Sequence, residues 1–263
     1  MYRHGVVSSR QVAPDFVELS AHPLRWRLLT DLADSDYRVR ELVERVGQPQ
    51  NLVSYHLRLL RDSGFVTTTR SSYDGRDSYY HLDLDRCGQA LAAAGAALHP
   101  ALHLHLHPAL PVFELAAPVT VLFVCTGNSA RSPIAEALLR HHSDGRVEAI
   151  SAGTRPKSAI YPTTVRVLRK EFGIDISGQR PRGLDILAGR QFDHVITLCD
   201  KAREVCPEMP RHPRRVHWSI PDPATTDDTH QGGYRAFRQT AAEIDTRVRH
   251  LLPVLAATSR KET

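Results

Sequence analysis

The chain has 263 residues, of which 41% are hydrophobic, and a length beyond that of one typical domain predicts two domains that each bury a core. No amino-terminal segment resembles a signal peptide, and histidine and proline interrupt the apolar run 91–106, so we expect a cytoplasmic protein without a membrane segment. The first 98 residues hold 12 arginines and 12 acidic residues, so the net charge of +5 arises in the second half and does not by itself indicate DNA binding.

Three helices are predicted in the first part of the chain. Apolar residues recur at helical spacing in 22–33 and 39–46. Gly47 is expected to end the second helix, Pro49 to begin a third, and Gly64 to close it.

A hairpin is predicted to follow these helices. Segments 65–69 and 78–82 are rich in β-branched and aromatic residues, and they flank an Asp74–Gly75 pair typical of a hairpin turn. Another helix is predicted at 85–98. This order is that of a winged helix-turn-helix domain, which we assign to residues 1–98.

Residues 99–117, rich in proline and histidine, are predicted to be a linker. After it, strands alternate with helices, which indicates an α/β domain with a parallel sheet at 118–263. The predicted strands are 119–124, 147–151, 193–198 and 215–220, and the predicted helices are 132–142, 163–172 and 234–256.

A specific motif lies where the first of these strands runs into a helix, with Cys125 followed six residues later by Arg131. Gly127 is expected to allow a tight turn that points successive N–H groups inward, and the helix adds its positive end. The loop would then bind a tetrahedral oxyanion through Thr126, Gly127, Asn128, Ser129, Ala130, Arg131 and Ser132.

The same positive field would favour the thiolate of Cys125, the form that attacks. Arg131 would donate two parallel hydrogen bonds from its planar guanidinium group to two oxygens of the anion. Ser132 would hold the thiolate through its hydroxyl, and Asn128 would brace the loop. The alternative, an ordinary turn beside a surface arginine, explains the strand, glycine, spacing and helix less well.

Residues 119–256 resemble the low-molecular-weight protein tyrosine phosphatases and the thioredoxin-coupled arsenate reductases that share their fold. The resemblance is carried by VLFVCTGNSARS at 121–132, SAGT at 151–154 and Asp222–Pro223. The resemblance implies that Asp222–Pro223 is the general-acid motif. Ala130 departs from the reductases, which often have a further cysteine there.

Cys199 and Cys206 favour the reductase over the phosphatase, because the reductases have a resolving pair with this spacing. The SPIAEA segment at 132–137 instead looks more like the phosphatases. Cys125, Cys199 and Asp222 each follow a predicted strand, so they could converge at the carboxyl edge of the sheet. The alternative for Cys199 and Cys206 is two small buried apolar residues.

The resemblance implies a three-step reaction. Cys125 attacks arsenate while Asp222 protonates the departing oxygen; Cys199 attacks the adduct and releases arsenite; Cys206 then attacks Cys199. Thioredoxin or another cellular thiol would reduce the resulting disulfide, and we expect no metal or bound cofactor.

Residues 19–29 and 50–66 resemble the ArsR-type winged-helix repressors. Four polar residues of the third helix are expected to face the major groove, opposite its apolar face. They are Asn51, Ser54, Tyr55 and Arg58. Arg70 and Arg76 on the wing would contact phosphates. The resemblance implies a double-stranded DNA operator and a homodimer through this domain; a helical protein-interaction module is the alternative.

The inducer site is not evident, because the second helix carries no cysteine and Cys87 stands alone. We interpret Cys87 as a packing residue. Four histidines could in principle bind a metal such as zinc, but a linker without metal is favoured. They are His99, His103, His105 and His107.

The sequence therefore predicts an arsenate reductase fused to an arsenic-responsive DNA-binding regulator. One alternative is a phosphatase with the same loop, in which Cys199 and Cys206 would be dispensable. Another is a repressor that senses an oxyanion without turnover, although a pure sensor has no need of an attacking thiolate.

Overall fold

The computed structural model describes residues 13–102, 115–207, 213–225 and 232–259. The amino-terminal elements are α1 (Asp15–Ser20), α2 (Pro23–Asp34), β1 (Tyr37–Arg38), α3 (Val39–Val46), α4 (Gln50–Asp62), β2 (Val66–Arg70), β3 (Ser78–Leu82) and α5 (Leu84–Leu98). The strands form an antiparallel sheet in the order β1-β3-β2. Helices followed by this hairpin confirm the winged helix-turn-helix.

The helix boundaries of this domain follow local chemistry. Gly47 ends α3 in the left-handed region (φ 63°), and Pro49 precedes α4 as its N-cap. The core between the helices is formed by side chains with no exposed surface, each contributing about 1.5 to 3 kcal/mol. They include Leu28, Leu42, Val53, Leu57 and Leu60.

The second domain is built on a four-stranded parallel sheet. Its elements are β4 (Val119–Cys125), α6 (Arg131–His142), β5 (Val147–Gly153), α7 (Pro162–Phe172), β6 (His194–Thr197), α8 (Asp200–Val205), β7 (Arg214–His217) and α9 (Gly232–Ser259). The strand order is β5-β4-β6-β7 and every pairing is parallel, which confirms the predicted α/β fold. Among the described residues, no helix is both long and apolar enough to cross a lipid bilayer.

The topology positions the site. The chain leaves β4 for β5 on one side and returns to β6 on the other. The carboxyl ends of β4 and β6 are therefore neighbours at the point where the winding reverses, which is where ligands bind in open α/β sheets.

The strand predicted at 215–220 ends earlier, at His217. The following backbone turns away because the N–H of Ser219 donates to the carboxylate of Asp36 over 2.6 Å. Helices α1 and α8 were not predicted from the sequence; both have only six residues, too few for a clear helical pattern.

The two domains meet at the edge of the parallel sheet. The N–H of Asp36 donates to the carbonyl of His217 (2.8 Å), and the N–H of His217 donates to the hydroxyl of Ser35 (2.9 Å). Both Ser35 and Asp36 are buried. The segment before β1 thus satisfies the backbone N–H and carbonyl of His217, at the end of the edge strand β7.

Candidate active site

Cys125 ends the buried strand β4 and lies beneath the loop that leads into α6. Its side chain is 2% exposed. The Sγ atom lies 3.0 Å from the hydroxyl of Ser132 and accepts a hydrogen bond from the N–H of Asn128 over 3.2 Å. The sulfur is thus held in place by the loop backbone and by the first turn of α6.

Asn128 holds the loop in shape. It adopts the left-handed conformation (φ 46°), whereas Gly127 does not, so the conformational demand that we assigned to Gly127 falls on Asn128 instead. The Asn128 amide donates to the hydroxyls of Ser132 (2.9 Å) and Ser151 (2.8 Å), and its oxygen accepts from the N–H of Arg182 (2.7 Å).

Close backbone approach also shapes the loop, at Gly153 at the end of β5. A Cβ atom there would lie 2.7 Å from the carbonyl oxygen of Thr126. Only glycine lets this strand pass so near the loop.

A buried carboxylate supports this arrangement from below. Glu136 of α6 is fully buried, accepts from the hydroxyl of Ser151 over 2.5 Å, and pairs with Arg182 (2.6 Å) and Arg140 (2.9 Å). Roles for Glu136 and Arg182 were not predicted from the sequence. The one available signal was a glutamate within the otherwise apolar face of α6.

Arg131 begins α6 and is 5% exposed. Its guanidinium donates to the carbonyl of Ile220 (3.0 Å) and to the carboxylate of Asp222 (2.9 Å). Asp222 is part-exposed and precedes a 3-10 turn at Pro223–Thr225. The expected anion-binding group and the expected acid thus face each other.

A cavity of about 110 Å³ opens between these groups, a size suited to a small anion. Its lining consists of Cys125, Thr126, Gly127, Ser129, Ala130, Arg131, Arg155, Lys157, Tyr161 and Asp222. Arg155 and Lys157 add positive charge to this lining, and Tyr161 also lies there; none of the three was predicted from the sequence to have a role. Of the loop residues expected to bind the anion, Asn128 and Ser132 lie behind the lining.

Cys199 lies at the carboxyl end of β6, beside this loop. Its sulfur is 3.3 Å from the hydroxyl of Thr126, and the side chain is 2% exposed. Burial raises the pKa of the Cys199 thiol, against the opposing charge of Arg131. The topology therefore brings Cys125 and Cys199 to one edge of the sheet.

Cys206 lies at the far end of the short helix α8, which begins directly after Cys199. Burial raises the pKa of the Cys206 thiol, opposed by Arg215, which also donates to the Cys206 carbonyl over 3.0 Å. The cysteines of this pair are separated by the whole length of α8.

The DNA-contact candidates lie on accessible surface. Asn51, Tyr55 and Arg58 are exposed on α4, whereas Ser54 is only partly exposed. On the wing, Arg70 and Arg76 are exposed. The enzyme domain therefore leaves these residues uncovered.

Cys87 packs with Phe16 and Phe65 in a small cluster at the base of α5. Burial raises the pKa of its thiol to about 11. Within the described ranges, no cluster of His, Cys, Asp and Glu could hold a metal ion. His103, His105 and His107 lie outside the described residues.

Family models match both parts of the chain. The model described as low molecular weight phosphotyrosine protein phosphatase matches residues 120–262, and the model described as bacterial regulatory protein, arsR family, matches residues 22–68.

Proteins similar to this chain include arsenate reductases and a low molecular weight protein tyrosine phosphatase from T. tengcongensis, which is 28% identical, with 51% of this chain and 98% of that chain covered and a TM-score of 0.44. The chain is 36% identical over 129 residues to the arsenate reductase of Halalkalibacterium halodurans, covering 49% of this chain and 91% of the relative. It is 37% identical over 130 residues to that of Bacillus licheniformis, with 49% and 92% covered. A crystal structure of arsenate reductase from Archaeoglobus fulgidus DSM 4304 is 33% identical, with 51% and 98% covered and a TM-score of 0.42. The chain therefore belongs to the low molecular weight phosphotyrosine protein phosphatase family, is homologous to its arsenate reductases, and carries an arsR-family helix-turn-helix at its amino-terminal side.

Proposed function

We propose that the enzyme domain reduces arsenate to arsenite with Cys125, Cys199 and Cys206. The observation that carries this proposal is the position of Cys199, buried 3.3 Å from the Thr126 hydroxyl of the anion loop, with Cys206 at the other end of α8. A phosphatase needs the loop, Arg131 and Asp222, but has no use for a second thiol at this point.

The first step is attack of the Cys125 thiolate on arsenate, held by the loop N–H groups and Arg131. An S–As bond forms and one As–O bond breaks. Asp222, next to Arg131, gives its proton to the departing oxygen, which leaves as water.

The second step transfers two electrons to arsenic. Cys199, deprotonated, attacks the sulfur of Cys125; an S–S bond forms, the S–As bond breaks, and arsenic keeps the electron pair and leaves as arsenite. Cys206 then attacks Cys199, which frees the Cys125 thiolate and leaves a Cys199–Cys206 disulfide. Thioredoxin or another dithiol returns two electrons. The chemistry needs no bound metal or cofactor.

The amino-terminal domain is proposed to bind operator DNA through Asn51, Ser54, Tyr55 and Arg58, with Arg70 and Arg76 contacting phosphates. The exposure of most of these side chains supports this assignment. A homodimer is proposed, supported by the exposed Leu91 and Leu98 on α5. A thiol-reduced cytoplasm suits four free cysteines.

The test is arsenite production from arsenate by the purified chain with a thioredoxin system, beside hydrolysis of a phosphate ester. Cys199→Ser should stop repeated arsenite formation and leave ester hydrolysis intact, and Cys87→Ser serves as the matched control. Ester hydrolysis in all proteins with no arsenite in any would identify a phosphatase. Binding of arsenate without either product would favour an oxyanion sensor.

A further inference from the structure

The winged-helix domain contacts the segment between Cys199 and Cys206. The carboxylate of Asp200, the residue directly after Cys199, accepts hydrogen bonds from the N–H (2.6 Å) and the hydroxyl (3.0 Å) of Ser72. Ser72 lies in the wing, between the exposed Arg70 and Arg76.

Two ion pairs join the rest of α8 to the start of α3. Arg203 pairs with Glu41 over 2.7 Å, and Glu204 pairs with Arg38 over 3.2 Å. Arg38 also lies 3.6 Å from Asp77, at the other end of the wing loop. One six-residue helix of the enzyme is therefore attached to both the helix-turn-helix and the wing.

Asp200 is a buried, ionised carboxylate at this contact. It is 2% exposed and accepts on its other oxygen from the hydroxyl of Ser219 (2.7 Å), with His217 at 3.1 Å. Burial disfavours its charge, but the hydrogen bonds from His217, Ser72 and Ser219 together hold the pKa of Asp200 at about 2. Separation of Ser72 from α8 would take both of its donors away from this carboxylate oxygen.

Helix α8 cannot persist when its two flanking cysteines are joined. Cys199 and Cys206 are the N-cap and C-cap of the helix, and a rise of 1.5 Å per residue separates their Cα atoms by roughly 10 Å. A disulfide requires Cα atoms about 4.4 to 6.8 Å apart. Formation of the Cys199–Cys206 disulfide must therefore unwind α8.

We propose that this disulfide detaches α8 from the winged-helix domain and thereby weakens DNA binding, so that the catalytic cysteines are the sensor of the regulator. The proposal rests on the proposed function for the oxidant: arsenate accepts two electrons and becomes arsenite, while two thiols become one disulfide. The thiol reductant restores α8 and its contacts.

The amino-terminal domain carries no alternative thiol sensor. Cys87 is the one cysteine among the first 98 residues, and it is buried beside Phe16 and Phe65. The wing, by contrast, loses its anchor at Ser72 when α8 unwinds. In the oxidised protein the free wing must become ordered when Arg70 and Arg76 bind DNA, and this ordering costs conformational entropy. In the reduced protein the wing is already held by α8, so DNA binding does not carry this cost.

The experiment uses the full chain as Cys87→Ser/Cys125→Ser, in which Cys199 and Cys206 are the remaining cysteines. Diamide oxidises the pair by accepting two electrons and two protons, and mass spectrometry verifies the disulfide. Binding is measured to a labelled duplex of the DNA upstream of the coding sequence, and hydrogen exchange is followed at 71–77 and α3. The control adds Cys206→Ser and receives the same oxidant.

Oxidation should weaken DNA binding on the order of 5- to 150-fold, the range of typical allosteric couplings, and should speed exchange in the wing. The Cys206→Ser control should change in neither respect. Unchanged exchange at 71–77 with the disulfide fully formed would overturn the proposal, as would equal DNA affinity of the two states. By linkage, DNA should make the disulfide easier to reduce, by about 30 mV per tenfold change in affinity.

The unmodified chain, treated with arsenate in the absence of reductant, separates this proposal from the proposed function. If arsenate leaves the cysteines reduced while diamide still weakens DNA binding, the reductase fails and the coupling stands. If arsenate forms the disulfide and DNA binding stays the same, the reductase stands and the coupling is wrong.

Discussion

Asp36 of the winged-helix domain accepts two hydrogen bonds, each 3.0 Å long, from the guanidinium of Arg247 in the last helix of the enzyme domain. Asp36 is 3% exposed, and His81 lies 2.8 Å from the same carboxylate. The charge of Arg247 and the hydrogen bond with His81 hold the pKa of Asp36 well below its ordinary range despite the opposing effect of burial.

Asp36→Ala should therefore lower the free energy of unfolding by about 3 to 5 kcal/mol, because it removes the buried carboxylate and leaves Arg247 with the more exposed Glu243 as its remaining ion-pair partner. Urea unfolding followed by tryptophan fluorescence measures this loss. Asp31→Ala is the matched control, since it breaks the more exposed pair with Arg45 and should cost about 1 kcal/mol or less. Equal losses for the two variants would show that the interface does not depend on the Asp36 pair.

Acid should weaken the same interface. The pKa of Asp200 is lowered to about 2, so its contribution is complete above about 4, its ordinary value, and is lost as the pH falls through 2. This contribution is on the order of 2 kcal/mol. Asp200→Asn should flatten the fall of Tm between pH 4 and pH 2, measured by calorimetry. A parallel fall in both proteins would contradict the assignment.

Disulfide formation should accelerate with pH. Burial raises the pKa of Cys199, so the thiol is protonated near neutrality, and the attacking thiolate increases about tenfold per pH unit below that pKa. Rapid-quench single turnovers with arsenate, analysed by mass spectrometry, should show a rising Cys125–Cys199 disulfide rate from pH 6 to 9. A flat profile would mean that another step limits the reaction.

Asn128→Ala should lower kcat by roughly 100-fold, because displacement of a reacting group by about 1 Å can have an effect of that size. The Asn128 amide joins Ser132 to Ser151 and fixes the loop around Cys125. Steady-state kinetics of both arsenate reduction and ester hydrolysis report the change. Asn51→Ala, on the far domain, is the control and should leave kcat as it is.

Arg58→Ala should weaken binding to the upstream DNA by about 1 to 3 kcal/mol if this side chain reads a base edge. Arg169→Ala removes the same charge from an exposed pair on the enzyme surface and should have little effect. Fluorescence anisotropy at fixed salt makes the comparison. Similar losses of DNA affinity in the two variants would indicate that Arg58 contributes only through the net charge of the protein and not through a contact in the groove.

Features with a local cause could be predicted from sequence. Gly47 and Pro49 mark helix boundaries through their own backbone preferences, and the spacing of Cys125 and Arg131 reflects one loop between a strand and a helix. The placement of Cys199 beside this loop followed from the rule for parallel sheets.

Contacts between distant parts of the chain could not be predicted in the same way. Glu136 and Arg182 are 46 residues apart, and Ser72 and Asp200 are 128 apart, so no periodicity connects them. The tight turn was assigned to Gly127 on residue type alone, whereas Asn128 adopts the left-handed conformation and its side-chain hydrogen bonds offset the cost of that conformation.

The covered edge of β7 has a consequence for evolution. Ser35 and Asp36 bond to the backbone N–H and carbonyl of His217, so the winged-helix domain supplies the partners of the last residue of this edge strand. In an enzyme domain without this partner, the same N–H and carbonyl would need water or another group as their partner. Exchange of either half between such proteins would therefore leave these two backbone groups without their present partners, which favours inheritance of the regulator together with its enzyme.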